Sequence, residues 1–186
     1  MKKLIFFIFV GIILSSCSNS GSKSQSSDQA DPNKIVITND MENARGMIPG
    51  WQNESHVIAM SEPPAHSGTY ACISNDTTQY SYTFKEQLKN INSKLPKSAT
   101  VKGWVYTTVA NPNFSILCSI NQDQKQYDWK AVPLDKELTK PGKWVEFSAN
   151  YFFYKPLKPE DEIWIFAWNQ SQKNVYMDDL TITFQY

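Results

Sequence analysis

Few groups in this chain could do covalent chemistry. His56 and His66 are the only histidines among the 186 residues, and neither sits in a metal-binding or nucleophile spacing. Asp161-Glu162 follows Pro159 at the start of an apolar stretch and reads as a solvated turn. Glu146 could in principle pair with a second carboxylate, as glycosidases require, but an acid on the outer face of a sheet is ordinarily a hydrogen-bonding group. No phosphate-cradling glycine loop is present. The residues point away from an enzyme and toward binding.

The aromatic residues are the richer resource. Glu162 to Phe184 alternates with period two, the spacing of strands and not of helices. Ile163, Ile165 and Ala167 share one face of its first half; Trp164, Phe166 and Trp168 share the other. In its second half Leu180, Ile182 and Phe184 point one way and Thr181, Thr183 and Gln185 the other, which suits a half-solvated strand. Upstream, Val101, Gly103 and Val105 oppose Trp104 and Tyr106. Val145, Phe147, Ala149 and Tyr151 oppose Glu146, Ser148 and Asn150. Phe114, Ile116, Cys118 and Ile120 oppose Ser115, Leu117 and Ser119.

If the apolar sets face inward, one outer face is expected to carry the aromatic and polar remainder. Such a mixture suits a sugar: aromatic rings stack on the C–H faces of a pyranose while hydroxyls, amides and carboxylates bond its hydroxyls. The expected carbohydrate-binding set is Trp104, Tyr106, Trp129, Glu146, Asn150, Trp164 and Trp168. Two alternatives stand beside it. Residues 121–140, Trp129 included, could fold over the face and bury it, or a protein partner of the cell envelope could cover it.

These faces must be held by strands. Ile35-Val36-Ile37 is a short one, His56 to Met60 and Thr69 to Ser74 are further candidates, and Gln79 to Phe84 places Tyr80, Tyr82 and Phe84 together. Glu86 to Leu95, ended by Pro96, is the one plausible short helix. Asn121 to Gln126 reads as a polar loop. Eight or nine strands separated by turns imply an all-β fold, an antiparallel jelly-roll sandwich.

The N-terminus reads as an export signal. Lys2 and Lys3 precede an apolar run, Leu4 to Leu14, too short for a membrane span of roughly 20 residues. Leu14-Ser15-Ser16-Cys17 resembles the lipobox of bacterial lipoproteins, which implies removal of residues 1–16 and lipidation of Cys17. Residues 17–33 are Ser-rich and read as a tether, leaving 34–186 as the folded domain. The expected location is the cell envelope, anchored by lipid to a bacterial membrane, the outer one by analogy, with membrane contact through the anchor only. The intact chain has 18 basic and 18 acidic residues, and losing Lys2 and Lys3 leaves a slight acidic excess, which argues against nucleic acid. Cys72 and Cys118 are either buried thiols or, as export permits, a disulfide.

A chain-long series of landmarks carries a resemblance. Asn39-Asp40-Met41-Glu42 with Gly50-Trp51, Ala65-His66-Ser67-Gly68, Lys102-Gly103-Trp104-Val105, Pro141-Gly142-Lys143-Trp144 and Val175-Tyr176-Met177-Asp178-Asp179-Leu180 resemble, in order, the landmarks of galactose-binding-like jelly rolls, carbohydrate-binding modules especially. The resemblance implies a structural calcium ion held by Glu42 and Asp178, with backbone carbonyls near His66 and Gly68 completing an oxygen shell. This fold hosts sugar binders, protein binders and spacers alike.

Overall fold

The computed structural model describes residues 31–44 and 48–186. Residues 1–16, Cys17 and all but the last three residues of the 17–33 tether lie outside the described residues. Among the described residues no helix is long and apolar enough to cross a membrane.

The chain forms two antiparallel sheets. Their strands are β1 (Lys34–Asn39), β2 (Trp51–Gln52), β3 (Val57–Ala59), β4 (Tyr70–Ser74), β5 (Thr83–Gln87), β6 (Ser98–Thr107), β7 (Phe114–Gln122), β8 (Lys125–Pro133), β9 (Val145–Phe152), β10 (Glu162–Asn169) and β11 (Val175–Gln185). One sheet runs β3-β4-β11-β6-β9 with β1 also paired to β11. The other runs β2-β5-β10-β7-β8. The fold is therefore the expected all-β jelly-roll sandwich, with eleven strands in place of eight or nine. The expected helix shrinks to one turn, α1 (Leu88–Ile91).

Alternation decides what is buried. Ile163, Ile165 and Ala167 of β10 meet Phe147, Ala149 and Tyr151 of β9 and Leu180, Ile182 and Phe184 of β11 in one core. Burying such side chains contributes about 1.5–3 kcal/mol each. Cys72 on β4 and Cys118 on β7 are buried free thiols, one in each sheet.

β11 is the spine of its sheet. Along one edge its first residues, Val175–Met177, pair with β4, and its later ones, Leu180–Gln185, pair with β1. Between them lies a bulge at Asp178–Asp179, where the register with β6 shifts and Asp179 takes φ 50. A bulge of this kind kinks the strand and frees backbone and side chains to meet incoming loops. Here the incoming loops are residues 40–44 and 61–69.

Three expectations are corrected. The outer faces of β6 and β9, with Trp104, Tyr106, Glu146 and Asn150, belong to the six-stranded sheet, whereas Trp129, Trp164 and Trp168 belong to the five-stranded one. The single face assembled from them does not exist, because alternation fixes a side of a strand and not the sheet that strand joins. Residues 125–133 form an edge strand beside β7 and not a covering loop. Tyr80 leaves the company of Tyr82 and Phe84: it is 51% exposed, and they are buried.

Candidate functional site

The outer face of the five-stranded sheet is a groove of about 700 Å³, within the range of small-ligand sites. Its floor follows from register. Trp129 on β8 faces Ser119 on β7, Ser119 faces Trp164 on β10, and Trp164 faces Lys85 on β5. Two residues along the strands, roughly 7 Å away, Ala131 faces Leu117 and Leu117 faces Phe166. A further two residues along, Pro133, Ser115 and Trp168 form a third row, which Tyr80 extends by an isolated bridge to Trp168. Three rows thus cross the strands, each mixing rings or aliphatic groups with small polar residues.

The rings differ in accessibility. Trp129 and Tyr80 are 53% and 51% exposed and stand near opposite sides of the sheet. Trp164, Phe166 and Trp168 are half-buried in the floor. Tyr80 meets Phe166 edge-on at 5.6 Å between ring centres. The indole N–H of Trp168 is shielded from solvent and has no acceptor among the described residues. Trp164 is clamped: its Nε1–H donates to Glu162 Oε2 at 3.1 Å, while Lys85 Nζ lies 4.6 Å from its ring centre and 3.4 Å from the same Glu162 oxygen. An ammonium over an aromatic face is held there by the ring's negative face. Gln52, Asn53, Thr83, Ser119 and Gln126 line the walls, and among the described residues Lys85 is the only charged one of the lining.

Of the expected binding residues, the structure brings Trp129, Trp164 and Trp168 together. Trp104, Tyr106, Glu146 and Asn150 lie across the sandwich. There Trp104 lies flat against His66, with ring centres 3.9 Å apart. Trp144 packs on both His66 and Tyr106, and its Nε1–H donates to the Pro64 carbonyl. That cluster fastens the 61–68 loop to the six-stranded sheet. Asn150 accepts from Thr100 at 2.8 Å. Sequence reasoning missed Tyr80, Lys85, Gln52 and Asn53. Tyr80 alternates with buried Tyr82 and Phe84, so only the departure from the strand reveals it. Lys85 could have been found from its place one step past Phe84 on the opposite face.

The expected calcium ligands converge on one turn. Glu42 Oε1 accepts from the N–H groups of Thr69 and Tyr70, both at 2.8 Å, and its carboxyl occupies the space where a Cβ on Gly68 would stand. Asp178 is fully buried; Oδ2 accepts from Ser67 N–H at 3.0 Å and Oδ1 from Asp179 N–H at 2.7 Å. Burial pushes the Asp178 carboxyl up to about 6, against the lowering effect of the Ser67 N–H. Asp179 is in turn held by His66 Nδ1 at 2.6 Å and by Ser67 Oγ at 2.7 Å. Among the described residues no three His, Cys, Asp or Glu side chains gather as a metal cluster. Two carboxylates beside the backbone of one turn are nevertheless the hard, all-oxygen donors calcium prefers, and Asp178 is a buried carboxylate with no ion-pair partner among the described residues.

No family model matches the chain, and no curated protein matches it in sequence. Solved structures do match in three dimensions. The CBM22-1 xylan-binding domain of Paenibacillus barcinonensis Xyn10C superimposes with a TM-score of 0.50 at 14% identity, over 84% of this chain and 98% of that domain. The CBM22-1–CBM22-2 tandem of the same protein gives 0.51 at 13% identity, over 84% of this chain and 46% of that one. At such identities the likeness is one of fold: this chain shares the β-sandwich of carbohydrate-binding modules.

Proposed function

We propose that this is an exported carbohydrate-binding lipoprotein that holds a polysaccharide in the groove of the five-stranded sheet. The observation that carries the reading is the composition of that groove: two exposed rings, Trp129 and Tyr80, over a floor of half-buried aromatics, with amides and hydroxyls of Gln52, Asn53, Thr83, Ser119 and Gln126 around them. A protein interface is flatter and more continuously apolar than this. Among the described residues the groove's lining holds no carboxylate pair of the kind a glycosidase uses, which supports binding as the role we infer for it. The likeness of its fold to that of a xylan-binding domain makes xylan the first ligand to try.

The test is iodide or acrylamide quenching of tryptophan fluorescence with a panel of polysaccharides, followed by calorimetry on any that respond. A glycan that suppresses quenching supports the reading. Quenching that no glycan alters rejects it and directs attention to an envelope protein as the groove's occupant.

The anchor is part of the same proposal: Cys17 carries lipid after removal of residues 1–16, and the protein resides in the envelope. Cys17→Ala is expected to release the protein from the membrane fraction, and continued sedimentation with membranes would count against lipidation. Glu42 and Asp178, with carbonyls of the 66–68 turn, would hold one structural calcium ion that joins the chain's opening and closing strands. A melting temperature indifferent to chelator and to added calcium would remove that ion from the proposal.

A further inference from the structure

The cation of the groove has its counter-charge just outside. Lys85 on β5 belongs to the lining, and Glu162 on β10 does not. Register places Lys85 beside Trp164, and Glu162 two residues back along β10, between Gln87 on β5 and Asn121 on β7. Residues two apart on a strand share a face, so Glu162 stands on the groove's side of the sheet, at its rim. The rest of that row is amides: Gln87, Asn121 and, facing Asn121, Gln126. Glu162 Oε2 lies 3.4 Å from Lys85 Nζ, with the two side chains 34% and 28% exposed, and accepts from Trp164 Nε1–H at 3.1 Å. One carboxylate oxygen thus holds a ring of the floor and cancels the groove's ammonium. Lys85 keeps its other N–H donors for a ligand oxygen.

The surrounding charges add no positive excess. Glu86 faces Ile163, on the core side of the sheet, and its carboxyl accepts from Asn90. Asp128 and Lys130 face Ile120 and Cys118, also away from the groove, and are held by Lys155 and by the Asn150 carbonyl. Just beyond the lining, Glu54 follows Asn53, and Asp123 and Lys125 stand at the β7–β8 hairpin. Lys89 and Glu160 lie ahead of the start of β10, where Lys89 N–H donates to the Pro159 carbonyl. The acids in this outer ring outnumber the bases.

We propose that Glu162 is the specificity-determining residue of the groove: by cancelling Lys85 it fits the groove to an uncharged glycan and turns away one bearing uronic acid carboxylates. A carboxylate brought to Lys85 meets Glu162 beside it, and like charges placed together act against the wrong partner. A sugar hydroxyl accepts from the same ammonium without that repulsion. Glu162 acts through Lys85 and Trp164 and has no need to touch the ligand. The inference rests on the glycan reading above and adds to it the charge class of the glycan.

The test is calorimetry on the full chain with two pairs of probes that differ in charge. One pair is glucuronoxylan fragments and the same fragments with their carboxyls reduced to alcohols; the other is galacturonate oligomers treated likewise. The native chain is expected to prefer the reduced form by about three- to fivefold. Glu162→Gln keeps an oxygen acceptor for Trp164 Nε1–H and removes the charge. It is expected to erase or invert the preference at low salt, with the gain for the acidic form fading at high salt. Adding Lys85→Met to Glu162→Gln is expected to remove that gain. Each preference is a ratio within one protein, so a loss of folded fraction does not imitate the result. An unchanged preference in Glu162→Gln, a native chain that binds both forms alike, or a gain that survives Lys85→Met overturns the inference and leaves the groove a glycan site. Binding of neither form in either pair ends the glycan reading and this inference together.

Discussion

Tyr151 Oη donates a 2.7 Å hydrogen bond to the carbonyl of Ile116, spanning the core from β9 in one sheet to β7 in the other. It is one of the buried polar ties between the sheets, beside the bond that Asn169 Nδ2–H on β10 donates to the Ser74 carbonyl on β4 at 2.9 Å. Tyr151→Phe keeps the ring and deletes the tie. The expected cost is about 0.5–1.5 kcal/mol, measured by urea denaturation with an unchanged m-value. An unaltered midpoint would show that the tie contributes nothing net.

The same phenol gives a pH dependence. Burial pushes Tyr151 well above its ordinary value, and Tyr82 and Tyr186 shift upward for the same reason. Raised values favour the protonated form in the folded state. The stability they contribute is complete below the unfolded value of about 10 and is lost as pH rises beyond it. Melting temperature is expected to fall progressively above about pH 10, and less steeply in Tyr151→Phe. A flat profile to pH 11.5 or a slope unaffected by the substitution would contradict this.

Cys72 and Cys118 should be silent toward thiol reagents. Burial raises both, Cys72 to about 12 although Tyr82 N–H donates to its sulfur, and only the thiolate reacts. Native protein is expected to leave Ellman's reagent uncoloured by these two residues at pH 8, with both reacting in guanidinium. Prompt reaction of the native state would mean that the β4 or β7 region opens far more readily than its packing implies.

Within the groove, exposure separates affinity from stability. Trp129→Ala and Tyr80→Ala remove rings that are half in solvent, so each is expected to change stability by under about 0.5 kcal/mol. Each should weaken a glycan that binds by about 1–3 kcal/mol, roughly 5- to 150-fold in Kd. Trp164→Ala also frees Lys85 and Glu162 and should do both kinds of damage. Calorimetry and denaturation on the same three variants decide the matter, and loss of stability without loss of affinity in Trp129→Ala would place that ring outside the site.

Gly68 is required twice over. It holds φ +56, and a side chain there would collide with the Glu42 carboxyl. Gly68→Ala is expected to cost about 2 kcal/mol or more, from the left-handed backbone and the displaced carboxylate together. Glu42→Ala should cost about 1.5–3 kcal/mol by stripping a charged acceptor from Thr69 and Tyr70. If both variants melt with the parent, the turn contributes nothing to holding the ends of the chain.

Period-two patterning made the faces of β10 and β11 legible: Ile163, Ile165 and Ala167 are buried, as are Leu180, Ile182 and Phe184. Sheet membership was not legible. Trp104 and Trp164 have equivalent local patterns, and which sheet each strand joins is decided by pairing between segments far apart in the chain. β8 escaped for a different reason. As an edge strand it is paired on one flank only and none of its residues is fully buried, so Lys125, Gln126, Asp128 and Lys130 give it the polarity of a loop. Glu42 and Asp178 could be named as residues of interest through resemblance, whereas their meeting on one turn depends on a bulge that no local pattern announces.

The pairing of β1 along β11 has a mechanical meaning. β1 begins at the end of the sandwich where residues 31–33 lead into it, and its register with β11 runs from Lys34–Gln185 to Asn39–Leu180. Tension applied to the chain ahead of Lys34, along the axis of β1, loads the ladder's hydrogen bonds side by side in shear, and none is peeled alone. A pull on the chain ahead of Lys34 is therefore met by the whole β1–β11 ladder at once.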